Sequence, residues 1–334
     1  MNDALNEFMF QTIVAVVKSI VIIGFLLTGF AYMTLAERKI AGRIQVRYGP
    51  NRVGPFGLLQ PVADGIKLFF KEDVRPLGAD KWVYLLAPAI STLVAIVAFA
   101  VIPVGPAINI FGRQIGMYLS NASVGVLYLL AIGSLGVYGI TLAGWSSNNK
   151  YSLLGGVRAS AQMISYELSL GLSLMGVVMI VGSLNLGNIV EAQDRLPFIF
   201  LQPLGFILYI ISGIAETNRA PFDLAEAETE LVAGYHTEYS GMKFALFFMA
   251  EYINMITVSS IATTMFLGGY KGPIADGPWW FLIKIGVLLF GYIWIRATLP
   301  RLRYDRLMRF GWQVLLPLAL LNVLLTAVGI LIFG

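Results

Sequence analysis

Long apolar runs, each broken by a polar stretch, follow one another along the chain. A helix needs about 20 apolar residues to cross a bilayer. Runs of that order lie near 11–35, 82–104, 118–143, 156–182, 198–215, 240–268, 279–299 and 312–332. None alternates strictly, and a backbone in lipid is satisfied only within helices or closed barrels. The pattern therefore predicts an all-α integral membrane protein, a bundle of eight transmembrane helices forming a single membrane domain over residues 1–334. One shorter element interrupts it. In LLQPVADGIKLFFKED (58–73), Leu59, Val62, Ile66 and Phe69 share one face at helical spacing, and Pro61 suits a first turn. At about 12–14 residues this amphipathic helix is too short to span and is expected at the interface, either covering the bundle or lining a site.

The polar stretches differ in charge. Arg38, Lys39, Arg43, Arg47, Arg52, Lys67, Lys71, Arg75 and Lys81 follow the first span, Lys150 the third, and Arg301, Arg303, Arg306 and Arg309 the seventh. The alternate loops hold only Arg113, Arg195 and Lys271. Excess Lys and Arg marks the cytoplasmic or matrix side. Loops one, three, five and seven are therefore predicted to face inward and both termini outward. The opening MNDALNEFMF lacks the basic start of a secretory signal, so the first run is expected to be retained as a helix.

Composition narrows the chemistry. Only 13% of residues are charged, about half the share usual in soluble domains. There is no cysteine, which excludes disulfides and Cys-ligated iron–sulfur or zinc sites. The single His236 argues against a His-ligated metal centre. No Walker A sequence occurs, and Gly133, Gly136 and Gly139 have the wrong spacing for a dinucleotide fingerprint. The chain is thus expected to carry no metal or redox cofactor and to hydrolyse no nucleotide by itself, and no nucleic-acid partner is expected.

Its acids are unevenly spread. AETNRAPFDLAEAETELVAGYHTE (215–238) holds six of the nineteen: Glu216, Asp223, Glu226, Glu228, Glu230 and Glu238. Asp223, Glu226 and Glu230 fall on one helical face. Two readings stand for this inner loop, a solvated acidic face and an acid-lined cavity. Glu167 and Glu251 are placed well inside the fourth and sixth spans, Glu167 ~16 Å along its helix. A charge there costs at least ~2.5 kcal/mol, which favours a connected polar path over isolated structural roles. Arg296 lies near the inner end of span seven.

The segments ERKIAGRIQVRYGPNRVGP (37–55) and GLLQPVADGIKL (57–68) resemble the first inner loop of the H-subunit family of respiratory complex I. ETNRAPFDLAEAETELVAGYHTEY (216–239) and FALFFMAEY (244–252) resemble that family's second signature. The likeness covers nearly the whole chain. Related subunits occur in membrane-bound hydrogenases and the chloroplast-type plastoquinone enzyme, and the second signature favours the bacterial or mitochondrial form.

The resemblance implies a subunit of proton-pumping NADH:quinone oxidoreductase that joins the hydrophilic and membrane arms and forms much of the quinone tunnel. The substrate it implies is ubiquinone or menaquinone. FMN and iron–sulfur clusters would sit in partner subunits, with no redox centre or catalytic residue assigned here. It implies a quinone chamber of Glu37, Arg38, Asp64, Glu216, Arg219, Asp223, Glu226, Glu228 and Glu230, and a proton path of Glu167, Glu251 and Arg296. Arg43 and Arg47, and alternatively Arg38, would dock partners. The expected partners are the hydrophilic subunits around the terminal iron–sulfur cluster, small membrane subunits and lipid. The expected location is the bacterial inner membrane, with the mitochondrial inner membrane as the other setting. The segments 36–81 and 216–239 are the expected functional inner-face loops. Two other readings are a stand-alone ion transporter using Glu167 and Glu251, and a passive anchor for a soluble arm.

Overall fold

The computed structural model describes residues 2–110, 112–223 and 232–333. Helix α1 (Asn2–Ile44) is followed by the short α2 (Gln60–Phe70) and by α3 (Lys81–Ala98). A two-stranded antiparallel hairpin, β1 (Ile108–Ile110) and β2 (Arg113–Ile115), pairs Ile108 with Ile115. Then come α4 (Gly125–Ser146), α5 (Lys150–Val181), α6 (Leu186–Glu191), α7 (Phe198–Leu201) and α8 (Pro203–Glu216). The chain closes with α9 (Gly241–Phe266), α10 (Pro278–Thr298), α11 (Tyr304–Phe310) and α12 (Leu316–Phe333). The last two are continuous through a π-helical turn at Gly311–Leu315. Among the described residues, seven helices are long and apolar enough to cross a membrane.

Helix α4 starts at Gly125 rather than near 118 and α5 at Lys150 rather than near 156, and two further elements differ from the hydropathy reading in ways that shape the bundle. The first helix does not stop where the apolar run stops. It continues to Ile44, so Glu37, Arg38, Lys39 and Arg43 ride on its last turns rather than in a loop. The fifth span is broken at Gln202, because Pro203 has no N–H with which to continue α7. The Gln202 side chain fills the break: its amide donates to Thr326 at 2.6 Å and accepts from Asn322 at 3.0 Å. Such contacts between helices in lipid contribute about 0.6 kcal/mol on average.

The bundle packs through α3, α4, α5, α8 and α9, with buried side chains such as Phe99, Tyr166, Tyr209 and Phe266 at its centre. Small residues let the helices close. A Cβ built on Gly144 of α4 would lie 2.7 Å from the Ser152 carbonyl of α5, so only glycine fits there. Helix α1 lies at the edge, with one face free of the bundle.

The charged loops gather at one end. Lys243 binds Asp73 at 2.6 Å, joining the first inner loop to the base of α9. Asn149 donates to Glu238 at 2.6 Å, and Ser152 donates to the Tyr235 carbonyl at 2.8 Å. The Leu302 amide donates to the Pro221 carbonyl at 3.0 Å. These contacts bring the first, third, fifth and seventh loops together. At the opposite end, Lys18 donates to the Tyr118 carbonyl, and Lys284 donates to the carbonyls of Leu267, Gly269 and Lys271. Each lysine thus finds backbone carbonyl acceptors near the end of its apolar run, which explains a cation there.

Candidate functional site

Five side chains from four segments meet inside the charged end of the bundle. Glu37 comes from the last turns of α1, Glu251 and Tyr252 from α9, Arg219 from the turn after α8, and Arg296 from the last turn of α10. The Arg219 guanidinium lies 3.3 Å from Glu37 Oε1 and pairs with Glu251 through its Nε. Arg296 also pairs with Glu37. Tyr252 donates from its hydroxyl to Glu37 Oε2, and the Arg219 guanidinium sits 4.3 Å from the Tyr252 ring centroid. Arg219 and Glu37 are buried, whereas Arg296 is partly open to the surface. Two carboxylates and two guanidiniums balance formally, which is the condition for holding charge at this depth.

Glu251 also lines a cavity of about 90 Å³ that runs on into the bundle. Glu216 and Glu167 line the same cavity, with Asn218, Asn254 and Tyr209 among its polar walls. At roughly 10–15 Å³ per water, it has room for several waters. Ser134 of α4 donates to Glu167, and the neighbouring Gly133 faces Glu216 Oε1. Carboxylates sharing a poorly hydrated space are coupled, so a change of charge on one alters proton binding at the others.

The remaining predicted residues lie apart or at the rim. Arg38 and Asp64 pair at 2.6 Å, and Gln60 donates to the same carboxylate at 2.8 Å. This pair ties the end of α1 to α2 on the surface, outside the Glu37 network. Arg43 and Arg47 are exposed, and Arg47 reaches only the neighbouring Gln45 side chain among the described contacts. Asp223 is half-buried and close enough to Glu251 to act on it electrostatically. Glu226, Glu228 and Glu230, with the helical face assigned to them, lie outside the described residues. Among the described residues, no group of three or more His, Asp or Glu is placed to hold a metal ion.

The far side of this loop is fixed by aromatic packing. Tyr235 and Phe244 flank His236 with ring centroids at 5.0 and 5.3 Å. Burial pushes the His236 imidazole down to about 4, so it is neutral at physiological pH. The Tyr84 and Tyr239 rings stack at 4.1 Å, and Tyr84 donates to the Glu238 carbonyl at 2.7 Å.

Comparison with known proteins accords with this architecture. Residues 17–327 match the family described as NADH dehydrogenase. The chain is 54% identical over 323 residues to the H subunit of the NADH-quinone oxidoreductase of Syntrophotalea carbinolica, covering 97% of this chain and 98% of the relative. The chain belongs to the NADH-quinone oxidoreductase H-subunit family. The Thermomicrobium roseum H subunit is 56% identical, with 95% and 96% of the two chains covered. An H subunit of Geobacter sulfurreducens is 57% identical, with 90% and 91% covered. Like the apolar helices, these bacterial relatives mark a multi-pass membrane protein.

Several members of the site escape a sequence reading. Tyr252 closes the 244–252 segment beside Glu251 but carries no charge to mark it. Asn218 lies in the 216–239 segment without a charge to mark it, and Ser134 is an uncharged residue in an apolar run with no pattern of its own.

Proposed function

We propose that this chain forms much of the quinone tunnel of a proton-pumping NADH:quinone oxidoreductase and couples quinone reduction to proton translocation. In this reading it also joins the hydrophilic arm to the membrane arm. Its partners are the hydrophilic subunits around the terminal iron–sulfur cluster and small membrane subunits, with the FMN and the clusters held by the hydrophilic ones. The substrate is ubiquinone or menaquinone, and the setting is the bacterial inner membrane with both termini outside.

The observation that supports the reading is the double membership of Glu251. It pairs with Arg219 in the Glu37 network and also lines the cavity shared by Glu216 and Glu167. A charge change at the network therefore has a short electrostatic route into the cavity. Reduction of a quinone to a quinol takes two electrons and two protons. A headgroup near Glu37 and Arg219 would meet fixed guanidiniums on one side and proton-exchanging carboxylates on the other. The exposed apolar face of α2, with Val62, Ile66 and Phe69, suits an isoprenoid tail passing at the membrane surface.

A photoreactive short-tail quinone tests the reading in the assembled enzyme. Label is expected on peptides spanning residues 37–64 or 216–223 of this chain. Labelling confined to other subunits would overturn it.

A further inference from the structure

Gln162 of α5 is fully buried, and its amide nitrogen reaches across to the turn after α8. It donates to the Ala215 carbonyl at 2.7 Å and to the Phe222 carbonyl at 2.9 Å. The orientation of the amide follows from chemistry, because two carbonyl oxygens accept only donors. The two acceptors bracket the residues that matter most at the site: Glu216, which lines the cavity, and Arg219, which binds Glu37 and Glu251. Gln162 thus staples both ends of the turn to one point on α5, the helix that carries Glu167 a little over one turn further on.

Packing alone does not account for the residue. Its own Oε1 is buried and has no hydrogen-bond partner among the described residues, a burden that an apolar side chain would avoid. Nor does the Ala215 carbonyl depend on it, since that oxygen also accepts from the amides of Thr217 and Asn218. What the amide does that no apolar residue can is hold Ala215 and Phe222 at a set distance from each other and from α5.

We infer that Gln162 is a positioning residue for the coupled reaction: by tying Ala215 to Phe222 it holds Arg219 between Glu37 and Glu251. The inference rests on the function proposed above. Gln162→Met removes both donors at similar length. Gln162→Glu keeps one donor when protonated and turns an anion toward two carbonyl oxygens when ionised.

Both variants are measured in the assembled enzyme, with the amount of complex normalised by NADH oxidation with hexacyanoferrate. Gln162→Met is expected to lower quinone-reductase kcat roughly fivefold or more, with quinone KM changed less than about twofold. Gln162→Glu is expected to work at low pH and lose rate as pH rises, a limb absent from the wild type and from Gln162→Met. Wild-type kcat, KM and pH profile per complex in both variants, with only the yield reduced, would overturn the positioning role. Arg219→Gln separates the two claims. Wild-type turnover in that variant counts against the proposed function itself. A slow Arg219→Gln beside fully active Gln162 variants counts against the inference alone.

Discussion

Arg219 Nη1 and Glu37 Oε1 lie 3.3 Å apart although 182 positions separate them along the chain. The contact locks the turn after α8 to the end of α1, and Arg296 completes it from α10. Removing one partner of a buried pair leaves the other charge uncompensated, at a cost of about 3–5 kcal/mol. Arg219→Gln is therefore expected to lower quinone reductase activity at least tenfold. Adding Glu37→Gln is expected to cost much less than it does alone, giving a coupling of roughly 0.5–3 kcal/mol in a double-mutant cycle on the rates. Additive effects would mean that the two residues do not act as a unit.

Gly155 and Gly234 hold the second half of the acidic loop against α5. A Cβ on Gly155 would lie 2.8 Å from the Gly234 backbone, closer than real contacts allow. Gly155→Ala must push that loop outward, and overpacking of this kind costs about 1–3 kcal/mol. A lower thermal midpoint of the assembled enzyme is expected. An unchanged midpoint would show that the two segments are not in close contact.

His236 sets an acid limit. Its ordinary value near 6.5 is pushed down to about 4 by burial, so the folded loop holds it neutral while an unfolded chain protonates first. The stability from the neutral, buried ring is fully present above about 6.5 and is lost as pH falls toward 4. His236→Gln is expected to flatten the fall in thermal midpoint over this window. A variant that follows the wild-type curve would remove His236 as the cause.

The spans were legible because lipid demands uninterrupted apolar helices, and charged residues such as Glu167 and Glu251 stand out against that background. The end of α1 was not. Hydropathy falls at Glu37, but helical hydrogen bonding depends on the backbone and continues to Ile44. The break at Gln202 carries a signal in Pro203, whereas its repair by Asn322 and Thr326 is tertiary. The β1–β2 hairpin, turning near Gly112, is too short to impose a pattern. Within the site, each carboxylate was visible singly. The resemblance grouped them by role, but the direct pairing of Glu37, Arg219, Glu251 and Arg296 was not legible, because it needs α1, α9, α10 and the turn after α8 to converge. Gln162 left no trace, since a lone amide in an apolar run resembles any helix-packing contact.

The central claim is that buried carboxylates turn quinone reduction into proton movement, and Glu216, on the cavity wall beside Gly133, is where it is most exposed to test. The measurement is proton uptake per electron in vesicles carrying the assembled Glu216→Gln enzyme, alongside its quinone-reductase rate. A rate reduced about tenfold or more, or a lowered proton-to-electron ratio, is expected, with hexacyanoferrate reduction unchanged. Wild-type turnover together with a wild-type ratio would contradict it.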